Sequence, residues 1–420
     1  MLSTIVCCFL FVLFSFTVQV KSQFCDQISQ YDRCSPNSAC ACYHIAGAID
    51  IGICVDVFVD CSELVECGDS DNTCYESSHR CVNHPRCHNR PVCYPVPSFN
   101  QRLCPPIPTF VPLRGSAIDI HPNARWEQNG ITVAGGNGEG NGTNQLYWPT
   151  GLFVDDEQTI YVADQLNHRI MEWKRNATSG QVVAGGNGGG NGTHQLLQPY
   201  DVIVDKETNS LIICDMGNRR VVRWPRRNGT SGETIISNIS CMGLTMDENG
   251  SLYVADMGKQ EVRRYGRGES QGTVVAGGNG RGKRLDQLDG PIYVFIDRDQ
   301  SVYVSDYLHP SVMKWLEGAT QGIVVAGGQG GDSLTQLAYP YGVVVDQLGT
   351  VYVVDSGNNR IMRWPNEATQ GNVIVGGNGR GGESNQLDWP QGLSFDRHGN
   401  LYVADERNHR VQKFNIVSNA

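Results

Sequence analysis

One segment recurs six times, at residues 149–173, 199–224, 241–265, 291–315, 340–364 and 390–414, with start-to-start spacings of 50, 42, 50, 49 and 50. A repeat of that length is one supersecondary unit that cannot bury its apolar face alone, so the copies must pack on one another. Each copy opens with an apolar run that ends at an Asp: Asp155, Asp205, Asp247, Asp297, Asp346 and Asp396. A short turn follows, and then a second apolar run closed by a second Asp. A third run alternates and ends in an aromatic, as in residues 360–364, and a fourth lies in the spacer, as in 181–184. Four antiparallel strands per 40–50 residues make a propeller blade.

These residues resemble NHL repeats, with the pattern Pro-x-Gly…Asp…Tyr-Val-x-Asp…Asn-x-Arg, over residues 131–414. The resemblance implies an all-β, six-bladed propeller. The sixth copy ends at Phe414 with no fourth strand after it, whereas 131–134 is a fourth strand with no blade before it. The N-terminal strand is therefore expected to complete the last blade and leave no long open edge. Asn167/Arg169, Asn218/Arg220, Asn358/Arg360 and Asn408/Arg410 each follow an Asp three residues before the Asn. That spacing lets Asp and Arg pair across one turn. The third and fourth copies break the pattern with Lys259/Glu261 and His309/Ser311.

Residues 1–22 read as a signal peptide, with an apolar run over 5–18 that is short for a membrane span. Residues 23–104 hold Cys25, Cys34, Cys40, Cys42, Cys54, Cys61, Cys67, Cys74, Cys81, Cys87, Cys93 and Cys104. That density is expected of a disulfide scaffold in an oxidising compartment. Its rhythm loosely resembles EGF-like or EB-type modules, and its connectivity stays open, as does the pairing of Cys214 with Cys241. The region has no Cys-x-x-Cys pair, so a zinc module is not expected. Residues 105–130, with Pro105, Pro106, Pro108 and Pro112, read as a linker, and 131–417 as the propeller. A secreted, monomeric protein with no membrane span after signal removal is expected.

The net charge of −10 disfavours nucleic acid as a partner. Gly-rich runs such as 135–140 precede no helical pattern, so they read as turns between blades rather than phosphate cradles. The amidating lyases resemble this ring but hold zinc in the channel with three His. Here Thr150, Tyr200, Met242, Ile292, Tyr341 and Gln391 stand where two of those ligands are expected, and only His168 and His409 suit the third. Lactonase-type propellers use a channel calcium held by Asp, Asn and Glu, and no such set stands out on the first strands. The expectation is a non-enzymatic binding or adhesion protein without cofactor or metal. The alternative is a propeller enzyme of lyase or lactonase type.

Residues that differ between blades at a shared place are free to serve a ligand. On that ground Trp148, Tyr200, Met242, Ile292, Tyr307, Tyr339, Tyr341, Trp389 and Gln391 are nominated as a binding mouth for an extracellular protein or glycan. Arg219, Arg226, Arg227, Arg263, Arg267, Arg281, Lys283 and Arg284 are nominated as a polyanion patch. Six sequons, at Asn141, Asn176, Asn191, Asn228, Asn238 and Asn249, are read as falling in the first three blades or the strand closing the ring, which leaves blades 4 to 6 bare.

Overall fold

The structure, a computed structural model, describes residues 120–121 and 123–417, and before them 40–44, 46, 52–56, 64–68, 73–75, 79–83 and 91–95. The signal segment 1–22 and Cys25, Cys34, Cys61, Cys87 and Cys104 lie outside the described residues. The chain divides into two compact units, residues 1–28 with 33–108 and residues 29–32 with 109–420.

In the first unit, Cys40–His44 pairs antiparallel with Gly52–Asp56. Val92–Pro95 lies between Val65–Glu66 and His79–Val82 in a second small sheet. Disulfides Cys67–Cys81 and Cys74–Cys93 staple that sheet, and Cys42 is disulfide-bonded as well. The sulfurs of Cys67, Cys74 and Cys93 lie within 4.8 Å of one another because the two bridges sit side by side. Their oxidation removes the thiolates a metal would need.

The second unit is a propeller of six four-stranded antiparallel sheets. In blade 1 the strands are Pro149–Val154, Ile160–Asp164, Arg169–Trp173 and Gln181–Gly185. Blades 2 to 5 begin with Pro199–Asp205, Cys241–Met246, Pro291–Ile296 and Pro340–Val345. Blade 6 takes Pro390–Phe395, Leu401–Asp405 and Arg410–Phe414 from one end of the chain and Ile131–Gly135 from the other. Arg410 faces Gly135 and Lys413 faces Ile131 in that pairing, as the repeat arithmetic predicts.

The core lies between neighbouring blades, since each sheet is apolar on both faces. Tyr402 and Val411 of blade 6 pack with Leu152 and Val162 of blade 1, whose Tyr161 and Ile170 pack in turn with Val202 and Ile213 of blade 2. A disulfide, Cys214–Cys241, joins the second strand of blade 2 to the first of blade 3, with 5.6 Å between Cα atoms.

The linker expected over 105–130 does not remain a spacer to its end. Arg125–Trp126 pairs with Ile416–Val417, and Ile120, Ala124 and Trp126 are buried with Phe395 and Phe414. Trp126 donates from Nε1 to the Gly399 carbonyl at 2.9 Å. The reason is geometric: the closing strand enters at the hairpin end of blade 6, whose apolar flank needs a cover. Among the described residues no helix is long and apolar enough to cross a membrane.

Candidate functional site: the mouth and channel of the ring

Each second strand ends in a buried Asp, and that Asp anchors the mouth. In blades 1, 2, 5 and 6 one carboxylate oxygen accepts a backbone N–H from the incoming crossing at 2.7 Å (Tyr147, Leu197, Ala338 and Asp388). The other oxygen accepts from the Asn three residues on and from the Arg five residues on, as with Asp164, Asn167 and Arg169. The same Arg caps the crossing: Arg169 donates to the carbonyls of Asn141, Gly142 and Gln145. The Asp–Asn–Arg spacing is therefore a clamp holding each crossing onto its own blade.

The residue before each opening Pro is left-handed at five crossings: Trp148 (φ 55°), Gln198 (50°), Gly290 (89°), Tyr339 (55°) and Trp389 (56°). Glycine takes that conformation freely, whereas an aromatic pays roughly 1–2 kcal/mol for it. Trp148 and Tyr339 remain 39% and 41% exposed. The aromatics of blades 4 to 6 meet. Tyr307 stacks on Tyr339 at 4.9 Å between centroids and stands edge-on to Tyr341 at 5.4 Å, and Tyr339 reaches Trp389 at 5.7 Å. The Arg407 guanidinium covers the Trp389 ring at 4.7 Å. These five side chains form an arc on the mouth of the blades that carry no sequon.

Four nominated residues are not available at that mouth. Tyr200, Met242, Ile292 and Gln391 are buried. They occupy the second position of the innermost strand, where six strands crowd round one axis. Tyr200 donates its hydroxyl to Gln391 Oε1 at 3.0 Å, and Gln391 donates from Nε2 to Glu406 Oε2 at 2.8 Å, so side chains of blades 2 and 6 bridge beside the channel.

Sequence reasoning missed Asp201 and Tyr293. At the third innermost position, Gly151, Gly243, Gly342 and Gly392 let neighbouring strands touch. A Cβ on any of the last three would come within 2.6–2.9 Å of the next blade's backbone. Blades 2 and 4 carry Asp201 and Tyr293 there instead. Asp201 accepts from the Leu244 and Val202 N–H groups, at 2.8 and 2.9 Å, and burial pushes its carboxyl up to about 7. Burial pushes Glu406 up to about 7 as well. The Tyr293 hydroxyl is buried without a hydrogen bond, its ring 6.3 Å from that of Tyr200. Writing the six copies in register at this position would have found both departures.

His168 and His409 are ties between blades. Their Nδ1 atoms accept the N–H of Gln198 and Trp148, at 3.1 and 3.4 Å. Asn359 does the same for Trp389. Among the described residues no three His, Asp or Glu side chains gather as a metal would require. The channel residues present do not fit a three-histidine zinc centre.

The eight nominated basic residues form no common patch. Arg219, Arg281, Lys283 and Arg284 lie in turns and crossings at the mouth end, whereas Arg226, Arg227 and Arg267 follow third strands and lie at the opposite end. Carboxylates of the protein itself engage Arg226 (Asp155), Arg263 (Glu261), Arg267 (Glu207), Arg281 (Asp289) and Arg284 (Asp286). Arg219 reaches Asn238 Oδ1, and Arg227 and Lys283 are exposed. Acidic groups neutralise what a linear count of charges adds up, locally for Arg263, Arg281 and Arg284 and from the preceding blade for Arg226 and Arg267. All six sequon Asn residues are exposed.

The NHL repeat model matches residues 337–363 and 387–414, the hearts of blades 5 and 6. No curated protein matches the sequence. Among solved structures, a protein of unknown function from Bacteroides thetaiotaomicron is 15% identical, covers 93% of this chain and 100% of its own, and has a TM-score of 0.58. An auxiliary nutrient binding protein from the same organism is 15% identical, covers 70% and 77%, and has a TM-score of 0.54. A gluconolactonase from Xanthomonas campestris is 13% identical, covers 74% and 99%, and has a TM-score of 0.50. At such identities the likeness is one of fold. The chain is a six-bladed β-propeller carrying NHL repeats.

Proposed function

We propose that this protein is a secreted, non-enzymatic binding protein that holds an extracellular protein or glycan partner against the mouth of blades 4 to 6. The observation carrying this reading is the arc of Tyr307, Tyr339, Tyr341, Trp389 and Arg407. Two of its aromatics, Tyr339 and Trp389, sit in backbone conformations that glycine would hold at lower cost. Large rings with polar tips suit recognition, because they bring contact area at little entropic cost. Sequons confined to the other blades and their crossings, and a disulfide-bonded first unit, support an extracellular setting. The nutrient binding neighbour shares the fold and supports the same class of role.

A double Tyr307→Ala, Tyr339→Ala variant should lose capture of extracellular partners in a pull-down while its thermal melt moves little. Unchanged capture removes the mouth from the reading.

The lactonase reading keeps one observation in its favour: Asp201 and Glu406 both bring carboxyls to the channel region. The use of Asp201 as a backbone cap argues for a structural role instead. Stoichiometric calcium or zinc in purified protein, lost with Asp201→Asn, would support the enzyme.

A further inference from the structure

Blade 5 carries the Asp–Asn–Arg clamp but not its full set of bonds. The Nη1 atom of Arg169 donates to the Asn141 carbonyl, that of Arg220 to Asn191 and that of Arg410 to Gly382. Each of those carbonyls belongs to the residue eight before the opening Pro. The counterpart in blade 5 is Asp332. Arg360 keeps its bond from Nε to Asp355 at 2.7 Å, and Nη2 donates to Ser333 and Gln336, yet Nη1 has no partner among the described residues. The crossing of blade 5 is also one residue shorter. Twelve positions separate Gly328 from Pro340, where thirteen separate Gly136 from Pro149, Gly186 from Pro199 and Gly377 from Pro390. In the shortened crossing Gly331 lies at φ 156°, and the Asp332 carbonyl makes no bond to Arg360.

A groove of about 580 Å³ opens there, lined by Gln128, Asp332, Asn358, Arg360, Val373 and Asn378 among others. Arg360 is only 7% exposed, so its guanidinium is held in place and open on one nitrogen. Asp332, exposed, lines the same groove, and among the described residues its carboxylate has no ion pair or hydrogen bond. A fixed donor and a free acceptor thus share one groove. Gly376, Gly377 and Gly379 line it as well, so no side chain fills that wall.

We propose that this groove docks an extended segment of a partner polypeptide, whose backbone carbonyl accepts from Arg360 Nη1 and whose N–H donates to Asp332. The sister blades state the chemistry, since in them the same nitrogen is capped by a peptide carbonyl of the chain itself. Blades 4 to 6 hold no sequon, so no glycan of this chain crowds the site. The inference rests on the binding reading above. The mouth variant leaves the groove intact, so the two fail separately.

The test uses the full chain and an acetylated, amidated peptide of residues 139–144, the stretch that supplies the capping carbonyl in blade 1. Binding is followed by saturation-transfer NMR. Saturable binding is expected. One glycine inserted between Gly330 and Gly331 should restore the cap and weaken the peptide about tenfold, the worth of one charge-assisted hydrogen bond, with an unchanged melt. If the insertion prevents folding, Asp332→Lys decides on an exposed side chain, and it should weaken the peptide about fivefold or more. No saturable binding, or equal binding by the folded insertion variant, overturns the proposal. So does triacetylchitotriose binding that responds to the insertion while the peptide does not.

Discussion

Blades 1 and 4 bury the same carboxylate in different company. In blade 1, Asp164 meets Asn167 and Arg169, and the Arg also holds three carbonyls of the crossing. In blade 4, Asp306 accepts the Asp289 N–H on both oxygens, at 3.0 and 2.9 Å. No Arg stands beside it, because Ser311 occupies that place, and burial pushes its carboxyl up to about 7. Blade 3 also lacks the Arg, with Glu261 in its place, but it carries Cys241 and the bridge to blade 2. The blade scaffold therefore needs the Asp as an acceptor for the crossing. How its charge is answered varies from blade to blade.

The sharpest way to break this comparison is Arg169→Ala. It leaves Asp164 buried without its cation and frees three carbonyls, so a loss of about 3–5 kcal/mol is expected. At roughly 2–4 °C per kcal/mol for a domain of this size, the melt should fall by about 6–20 °C. A melt within a degree or two of wild type would make the clamp ornamental.

Next in size is the Cys214→Ala, Cys241→Ala pair. The bridge closes a sequence separation of 27, and its removal should cost about 2–4 kcal/mol. Hydrogen exchange should rise first in blade 3 if the disulfide answers for the missing Arg.

Asp306→Asn sharpens the comparison through pH. Burial pushes the carboxyl up to about 7 in the fold from about 3.9 in the unfolded chain, so the wild type is favoured while the group is protonated. That contribution is complete below about pH 4, fades as pH rises and is gone above about 7. The variant should match or trail the wild type at pH 4 and exceed it by about 1–3 kcal/mol at pH 8, by denaturant titration. Asn167→Ala should have the smallest effect, about 0.5–1.5 kcal/mol for two hydrogen bonds partly replaced by water. The same change at Asn408 should match it if the clamps are equivalent.

The ring was legible because its scaffold is written six times, and the pairing of 131–135 with the last copy followed from counting strands. The clamp was legible because its three members lie within five residues. What escaped were contacts whose partners lie far apart in the chain. Arg226 answers Asp155 across 71 residues, so a patch counted along the sequence dissolved in space. Trp126 serves blade 6 from within an apparent linker, joined to Gly399 across 273 residues. The mouth was half legible. Position in the repeat located Tyr307, Tyr339, Tyr341 and Trp389, but nothing local says that Tyr200 or Gln391, one residue after the opening Pro, turns inward. Asp201 and Tyr293 were visible only as exceptions to a glycine, and the groove of blade 5 only as a missing residue.

The strand that completes blade 6 also sets a clock. Gly135 leaves the ribosome early, and its partner Arg410 is made 410 − 135 = 275 residues later. At about 5–20 residues per second that is roughly 15–55 s during which the first strand has no mate. Blades 1 to 5 are each complete well before then, so the nascent chain is an open arc waiting on its final segment. A ribosome that stalls or terminates anywhere short of the last blade releases that arc with both ends unpaired, ready to join the ends of another. The chain's first propeller strand is thus a checkpoint on its own completion.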